Sequence, residues 1–192
     1  MAKLRKGCAY RNLNPKAYTR ISKYRKKSFA RTRPASKIVK YNMGNVNKPF
    51  DESFYIVSKE SFQLRHNAIE SARQTANRKL EGTAGKGNFF FRIRTYPHHI
   101  LRENPLAAGA GADRMSTGMK HSFGKVIGVA ARIKEGQIIA EIHVEKQHIE
   151  GAKKAVKAFI NKIPVGCYIE REEKIKKTQK KSPTESNKQK KN

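Results

Sequence analysis

Two classes of protein are excluded by what this sequence has little of. It holds only two cysteines, Cys8 and Cys167, too few for a disulfide framework and suited to a reducing compartment. No stretch approaches the roughly 18 consecutive apolar residues of a membrane span, and the basic N-terminus lacks the apolar core of a secretory signal, so neither insertion nor export is expected. Acidic residues are scarce as well: 15 Asp and Glu face 43 Lys and Arg, a formal net charge of +28 over 192 residues. Hydrophobic residues at 37% still allow one modest core in a single domain with extensions.

The charge is unevenly spread. Residues 1–50 carry 15 Lys and Arg and no acidic residue. Residues 51–173 carry 20 basic and 14 acidic residues, a net of +6. Residues 174–192 carry eight Lys and one acid, Glu185. A nearly balanced middle between two polycationic segments reads as a globular domain (51–173) with a basic N-terminal arm (1–50) and a Lys-rich tail (174–192). The tail's one apolar residue, Ile175, cannot offset its ordering entropy by burial, so disorder is expected there.

Self-repulsion points both extensions toward a polyanion. An anionic membrane would require an amphipathic stripe, which is not what the arm shows. Its aromatic and basic residues interleave instead: Tyr10-Arg11, Lys16, Tyr18-Thr-Arg20, Lys23-Tyr24-Arg25-Lys26, Arg31 and Arg33. Rings that stack on unpaired bases beside cations that meet phosphates suit RNA.

Local patterning gives an α+β reading. Residues 53–65 read as extended. Asn67-Ala-Ile-Glu70 has capping-box spacing, and Ile69, Ala72, Ala76 and Leu80 then share one helical face, with Gly82 as the stop. In the strand Asn88–Thr95, Phe89, Phe91 and Ile93 face one way and Arg92 and Arg94 the other. Residues 99–102 continue extended. Pro105, Gly109, Gly111, Gly118 and Gly124 mark a long loop over 101–124, a length usually tied to function. Strands at 125–133 and 137–144 read as a hairpin about Lys134-Glu-Gly136. A second amphipathic helix runs from Ile149 to Ile163, closed by Pro164, and Cys167–Glu170 is a last strand. Mixed sheet with two packed helices is the expected architecture.

Catalytic and cofactor motifs fail on inspection. Gly82-Thr-Ala-Gly-Lys-Gly87 has Leu80 where a phosphate loop has glycine and Gly87 where it has Ser or Thr, so it reads as a turn between helix and strand. Gly109-Ala-Gly111 lacks the third glycine and the context of a dinucleotide site. His98 and His99 are adjacent and point to opposite faces of a strand, which leaves them, with His121, short of a metal site. Ser116 and Ser122 flank His121 with no acid or oxyanion hole in view. No enzyme, cofactor or metal is expected. The loop offers close backbone approach, with Arg102, Arg114, Lys120 and Lys125 as phosphate contacts.

Several stretches together resemble a known family. They are Tyr96-Pro-His-His-Ile-Leu-Arg-Glu-Asn104, Ala108-Gly-Ala-Gly-Ala-Asp-Arg114, Thr117-Gly-Met119 and Phe123-Gly-Lys125. Supporting segments are Pro15–Arg20, Gln63-Leu-Arg-His66, Ser71–Asn77, Ala130-Ala-Arg132 and Gly136-Gln137. From about Tyr10 to Glu170 the sequence is similar to large-subunit ribosomal protein ten of archaea and eukaryotes, the counterpart of bacterial large-subunit protein sixteen. Gln63–His66 is closer to the archaeal branch, and the Lys-rich tail lies outside the pattern.

The resemblance implies an α/β-hammerhead fold and a cytoplasmic place in the ribosome, on large-subunit ribosomal RNA beside the aminoacyl-tRNA path. It implies that the 101–124 loop points toward the peptidyl transferase centre, with Arg102, Asn104, Arg114 and Lys120 nearest tRNA or catalytic-centre RNA. The implied partners are ribosomal RNA, aminoacyl- or peptidyl-tRNA and neighbouring ribosomal proteins, without a membrane or a homo-oligomer. The expected RNA contacts are the arm cations and tyrosines, Arg65, Arg92, Arg94, His98, and the loop residues through Lys125. Two rivals follow from charge or the loop alone: an architectural DNA-binding protein, and an RNA-modifying enzyme that would carry a cofactor or metal.

Overall fold

A computed structural model describes residues 5–13, 24, 34–103 and 124–173. Eight strands are present among them: β1 Asn42–Gly44, β2 Glu52–Ser58, β3 Phe62–Arg65, β4 Phe89–Ile93, β5 His99–Glu103, β6 Lys125–Ile133, β7 Ile138–Val144 and β8 Cys167–Glu173. Two helices join them, α1 His66–Ala84 and α2 Ile149–Ile160. The α+β class and the packed helix pair agree with expectation. The strands divide into a five-stranded sheet, β1-β4-β7-β2-β8, and a three-stranded sheet, β3-β6-β5. Every recorded strand pair is antiparallel.

The apolar alternation of β4 works as its pattern predicts. Phe89, Phe91 and Ile93 are buried, with Phe91 edge-to-face on Phe159 of α2 at 5.9 Å. On α1 the expected face, Ile69, Ala72, Ala76 and Leu80, is buried in the same core as Ala152, Ala155, Val156 and Phe159 of α2. Alanine on both helices lets their backbones approach closely. Gly151 is part of that contact, since a Cβ there would collide with the Thr83 hydroxyl.

Four local readings change. The extended stretch 53–65 is two strands, β2 and β3, in different sheets. Helix α1 starts two residues earlier than the capping box predicts, with Arg65 rather than Asn67 as N-cap and no side-chain cap. Asn67 Oδ1 accepts only from the next N–H, that of Ala68, at 3.0 Å. Glu70 is taken by Arg73, at 2.6 and 2.8 Å, and by Gln74 at 3.0 Å. The helix also runs through Gly82, ending where Gly85 adopts φ 78° and its N–H meets the Glu81 carbonyl, a left-handed stop that glycine permits. Finally, β6 and β7 are not a hairpin pair: the turn at 134–136 carries the chain from one sheet to the other.

The chain joins this unit before residue 51. Ile38, Met43 and Phe50 are buried, and β1 pairs with β4 through Asn42–Arg92, Met43–Phe91 and Gly44–Phe90.

Candidate nucleic-acid interface

The three-stranded sheet places the ends of the long loop side by side. Strands β5 and β6 pair with Glu103 opposite Lys125 and Arg102 opposite Val126. The intervening segment therefore leaves and re-enters the fold at one edge, carried by a hydrogen-bonded base.

The N-terminal segment lies against the same sheet. The Gln63 N–H donates to the Arg11 carbonyl at 2.8 Å, and Gln63 Nε2 to the Tyr10 carbonyl at 2.9 Å. Arg65 stacks its guanidinium 5.2 Å from the Tyr10 ring centroid and donates to the Arg5 carbonyl at 2.6 Å. Arg132, two positions along β6 from Ala130, donates to the Leu13 carbonyl. Glu103, at the loop base, accepts from the Tyr10 hydroxyl at 3.0 Å and pairs with Arg5. The Arg5 bond to Glu103 is the largest cause holding that carboxyl below its ordinary range, while burial and the Glu103 contact raise the Tyr10 phenol. One carboxylate thus joins the start of the chain to the root of the loop.

Arg92 on β4 and Arg94 just past its end are both exposed, as their alternation with Phe91 and Ile93 predicts. Both reach Glu141 of β7, at 3.7 and 3.3 Å, with about half of each arginine side chain exposed. Their charge is therefore partly balanced within the protein. Beside them Phe90 stacks on His143 at 5.5 Å, and His143 Nδ1 lies 2.7 Å from Ser53 Oγ.

His98 is exposed, with Nδ1 3.2 Å from the Tyr96 carbonyl, whereas His99 is buried. Burial is the main reason the His99 imidazole is pushed down to about 4, so it is neutral at pH 7. Tyr24 is exposed and Arg102 is half-buried. The structure brings Arg11, Arg65, His98, Arg102 and the Lys125 backbone to the three-stranded sheet and leaves Arg92 and Arg94 on the other. Lys16, Tyr18, Arg20, Lys23, Arg25, Lys26, Arg31, Arg33, Asn104, Arg114 and Lys120 lie outside the described residues, as do His121, Ser116 and Ser122.

Sequence reasoning passed over Arg5, Glu103 and Arg132 as positioning residues. The signal for Arg132 was available, since it alternates with the buried Ala131 and Ile133. Glu103 gave none, because its partners are about 93 and more positions away in sequence. A cleft of about 390 Å³ adjoins the N-terminal segment, with Lys6, Arg65 and Lys162 on its walls and Ile163 and Pro164 among its apolar lining. No helix among the described residues is long and apolar enough to cross a membrane.

Comparison with known proteins gives one consistent answer. Residues 19–170 match the family described as ribosomal protein L16p/L10e. The chain is 45% identical over 156 residues to the large ribosomal subunit protein uL16 of Staphylothermus marinus, covering 80% of this chain and 90% of that one. It is 44% identical over 160 residues to the protein of the same name from Methanoculleus marisnigri, covering 83% and 91%. With that of Methanococcus maripaludis strain C5 it shares 43% identity over 166 residues, covering 86% and 92%.

Proposed function

The chain belongs to the ribosomal protein L16p/L10e family, and from that premise we propose how it works. It is a non-catalytic, structural constituent of the large ribosomal subunit, binding ribosomal RNA beside the aminoacyl-tRNA path and helping to position tRNA during translation. The observation that carries the proposal is the shared base on the three-stranded sheet. The root of the Gly-rich loop and the N-terminal segment meet at Glu103, which supports a reading in which the two extensions act on RNA from a common base.

In this reading the arm binds phosphates through Lys16, Arg20, Lys23, Arg25, Lys26, Arg31 and Arg33, with Tyr18 and Tyr24 stacking on bases. The burial of Ile38, Met43 and Phe50 supports assigning the arm's RNA contacts in this reading to residues ahead of 34. In this reading Asn104, Arg114 and Lys120 in the loop, with Arg102 and Lys125 on the strands at its base, meet tRNA and catalytic-centre RNA. Peptide-bond chemistry belongs to the RNA, and the protein contributes charge and position. Arg65 acts mainly by holding the N-terminal segment, since Tyr10 and Arg5 already engage it.

Charge alone would favour any nucleic acid, so the test compares the full chain on large-subunit ribosomal RNA and on duplex DNA of matched length and salt. Preference for the RNA by about tenfold or more is expected, a difference of about 1.4 kcal/mol in binding free energy. Equal affinity would transfer the lead to the architectural DNA-binding reading.

A further inference from the structure

Strand β8 differs from the rest of this protein in charge and in pairing. It is the last strand of the five-stranded sheet and, among the described residues, pairs only with β2. On its other edge the alternate residues of this seven-residue strand direct backbone N–H and C=O groups outward, unpaired among the described residues. Its side chains are mostly exposed, including two large apolar ones, Tyr168 at 38% and Ile169 at 47%. Three of the chain's 15 acidic residues, Glu170, Glu172 and Glu173, fall within four consecutive positions here.

The strand's one cation, Arg171, is shared between Glu52 and Glu173 and leaves Glu170 and Glu172 as the acids on the strand's other face. Arg171 forms a two-point bond with Glu52 at 2.8 and 2.9 Å and also meets Glu173 at 2.7 Å. Glu52 is buried in β2, and the Arg171 bond is the largest cause holding its carboxyl below the ordinary range. This pair roots β8 on the sheet and fixes its register, so the outer edge is a set surface. Edges of this kind are normally shielded, because an open ladder accepts another chain. Here Glu170 and Glu172 would repel a nucleic acid, and the apolar Tyr168 and Ile169 remain open to contact.

We propose that β8 is a docking edge for an extended, Lys- or Arg-rich segment of a neighbouring protein, which adds a sixth strand to the sheet. Backbone pairing supplies affinity, and cations opposite Glu170 and Glu172 set register and choice of partner. The acidic edge thus faces protein while the arm and loop face RNA. The inference rests on the ribosomal reading for the source of that partner, and on charge complementarity for its chemistry.

The test places a photo-crosslinking phenylalanine derivative at position 168 in the full-length chain. Large subunits containing it are isolated first, which checks the ribosomal reading separately. Irradiation is then expected to join position 168 to a Lys- or Arg-rich stretch of another subunit protein. The double variant Glu170→Lys, Glu172→Lys should lower that yield about tenfold, the loss typical of one disrupted register-setting charge contact. Crosslinks to ribosomal RNA or to residues 174–192 of the same chain would overturn the proposal, as would no crosslink at all in subunits that carry the photo-reactive residue with Glu170 and Glu172 intact. Should the chain not enter subunits, the ribosomal reading fails and the edge is tested directly. The purified full chain is mixed with a synthetic peptide alternating Lys and Val, and amide exchange is followed. Slowed exchange confined to β8, and lost in the double Lys variant, supports docking; unchanged exchange overturns it.

Discussion

The two sheets divide the work of this molecule. In the five-stranded sheet two inward carboxylates are paired within the protein, Glu52 with Arg171 and Glu141 with Arg92 and Arg94, and the exposed acids lie on the edge strand β8. Its inner face carries most of the aromatic core, including Phe54, Phe89 and Phe91. In the three-stranded sheet the polar groups are spent on holding other segments. Gln63, Arg65 and Arg132 grip backbone carbonyls of residues 5–13, and Glu103 ties that segment to the loop base. The first sheet makes the domain stable. The second anchors the N-terminal segment and the base of the loop.

That division makes substitutions on the two sheets fail in different ways. The largest effect on stability is expected at Phe91→Ala, which empties a fully buried site against Phe159. It should cost about 3–5 kcal/mol in chemical denaturation, and a loss under about 1 kcal/mol would show that this core is not as tightly packed as described. Arg114→Ala in the loop should do the reverse. Translation should fall several-fold while stability of the isolated protein changes by no more than about 0.5 kcal/mol. Equal losses in both would break the comparison.

Acid sharpens the contrast, because each sheet holds a titrating group with its own window. Glu52 has its carboxyl held below the usual 4.5. Its contribution is complete above that pH and is lost as pH falls through the lower folded value. His99, on the three-stranded sheet, is pushed from 6.5 to about 4, chiefly by burial and then by Arg132 and the nearby cations. The unfolded chain takes up that proton first, so stability falls as pH drops from 6.5 toward 4. Unfolding midpoints across this range should flatten in His99→Gln above pH 4.5 and in Glu52→Gln below it; identical profiles for both variants would contradict the assignment. The smallest effect is expected on deleting residues 175–192, which should leave entry into large subunits intact in a sedimentation assay.

Much of this was legible in the sequence where period and charge act locally. The inward Phe89, Phe91 and Ile93 against outward Arg92 and Arg94 follow from strand alternation, and the buried face of α1 from helical spacing. The 134–136 turn was read as a hairpin because the residues suit one. Whether the strands on either side then pair is decided by sheet partners distant in the chain, Ile133 on Phe62 and Ala140 on Ile56. Tyr10 was read as a base-stacking ring, and in the fold it lies under Arg65 with its hydroxyl on Glu103. Contact with a residue 93 positions away leaves no trace in the composition around Tyr10. The same limit applied to Asn67, where capping spacing was present but Glu70 had a stronger partner in Arg73.

The most direct test of the central claim is sedimentation of a native lysate, probing for this chain before and after a moderate salt wash. The account predicts co-migration with large subunits that survives the wash, as expected of a protein held by many phosphate contacts and a fixed platform. Recovery in nucleoid or free fractions would contradict it.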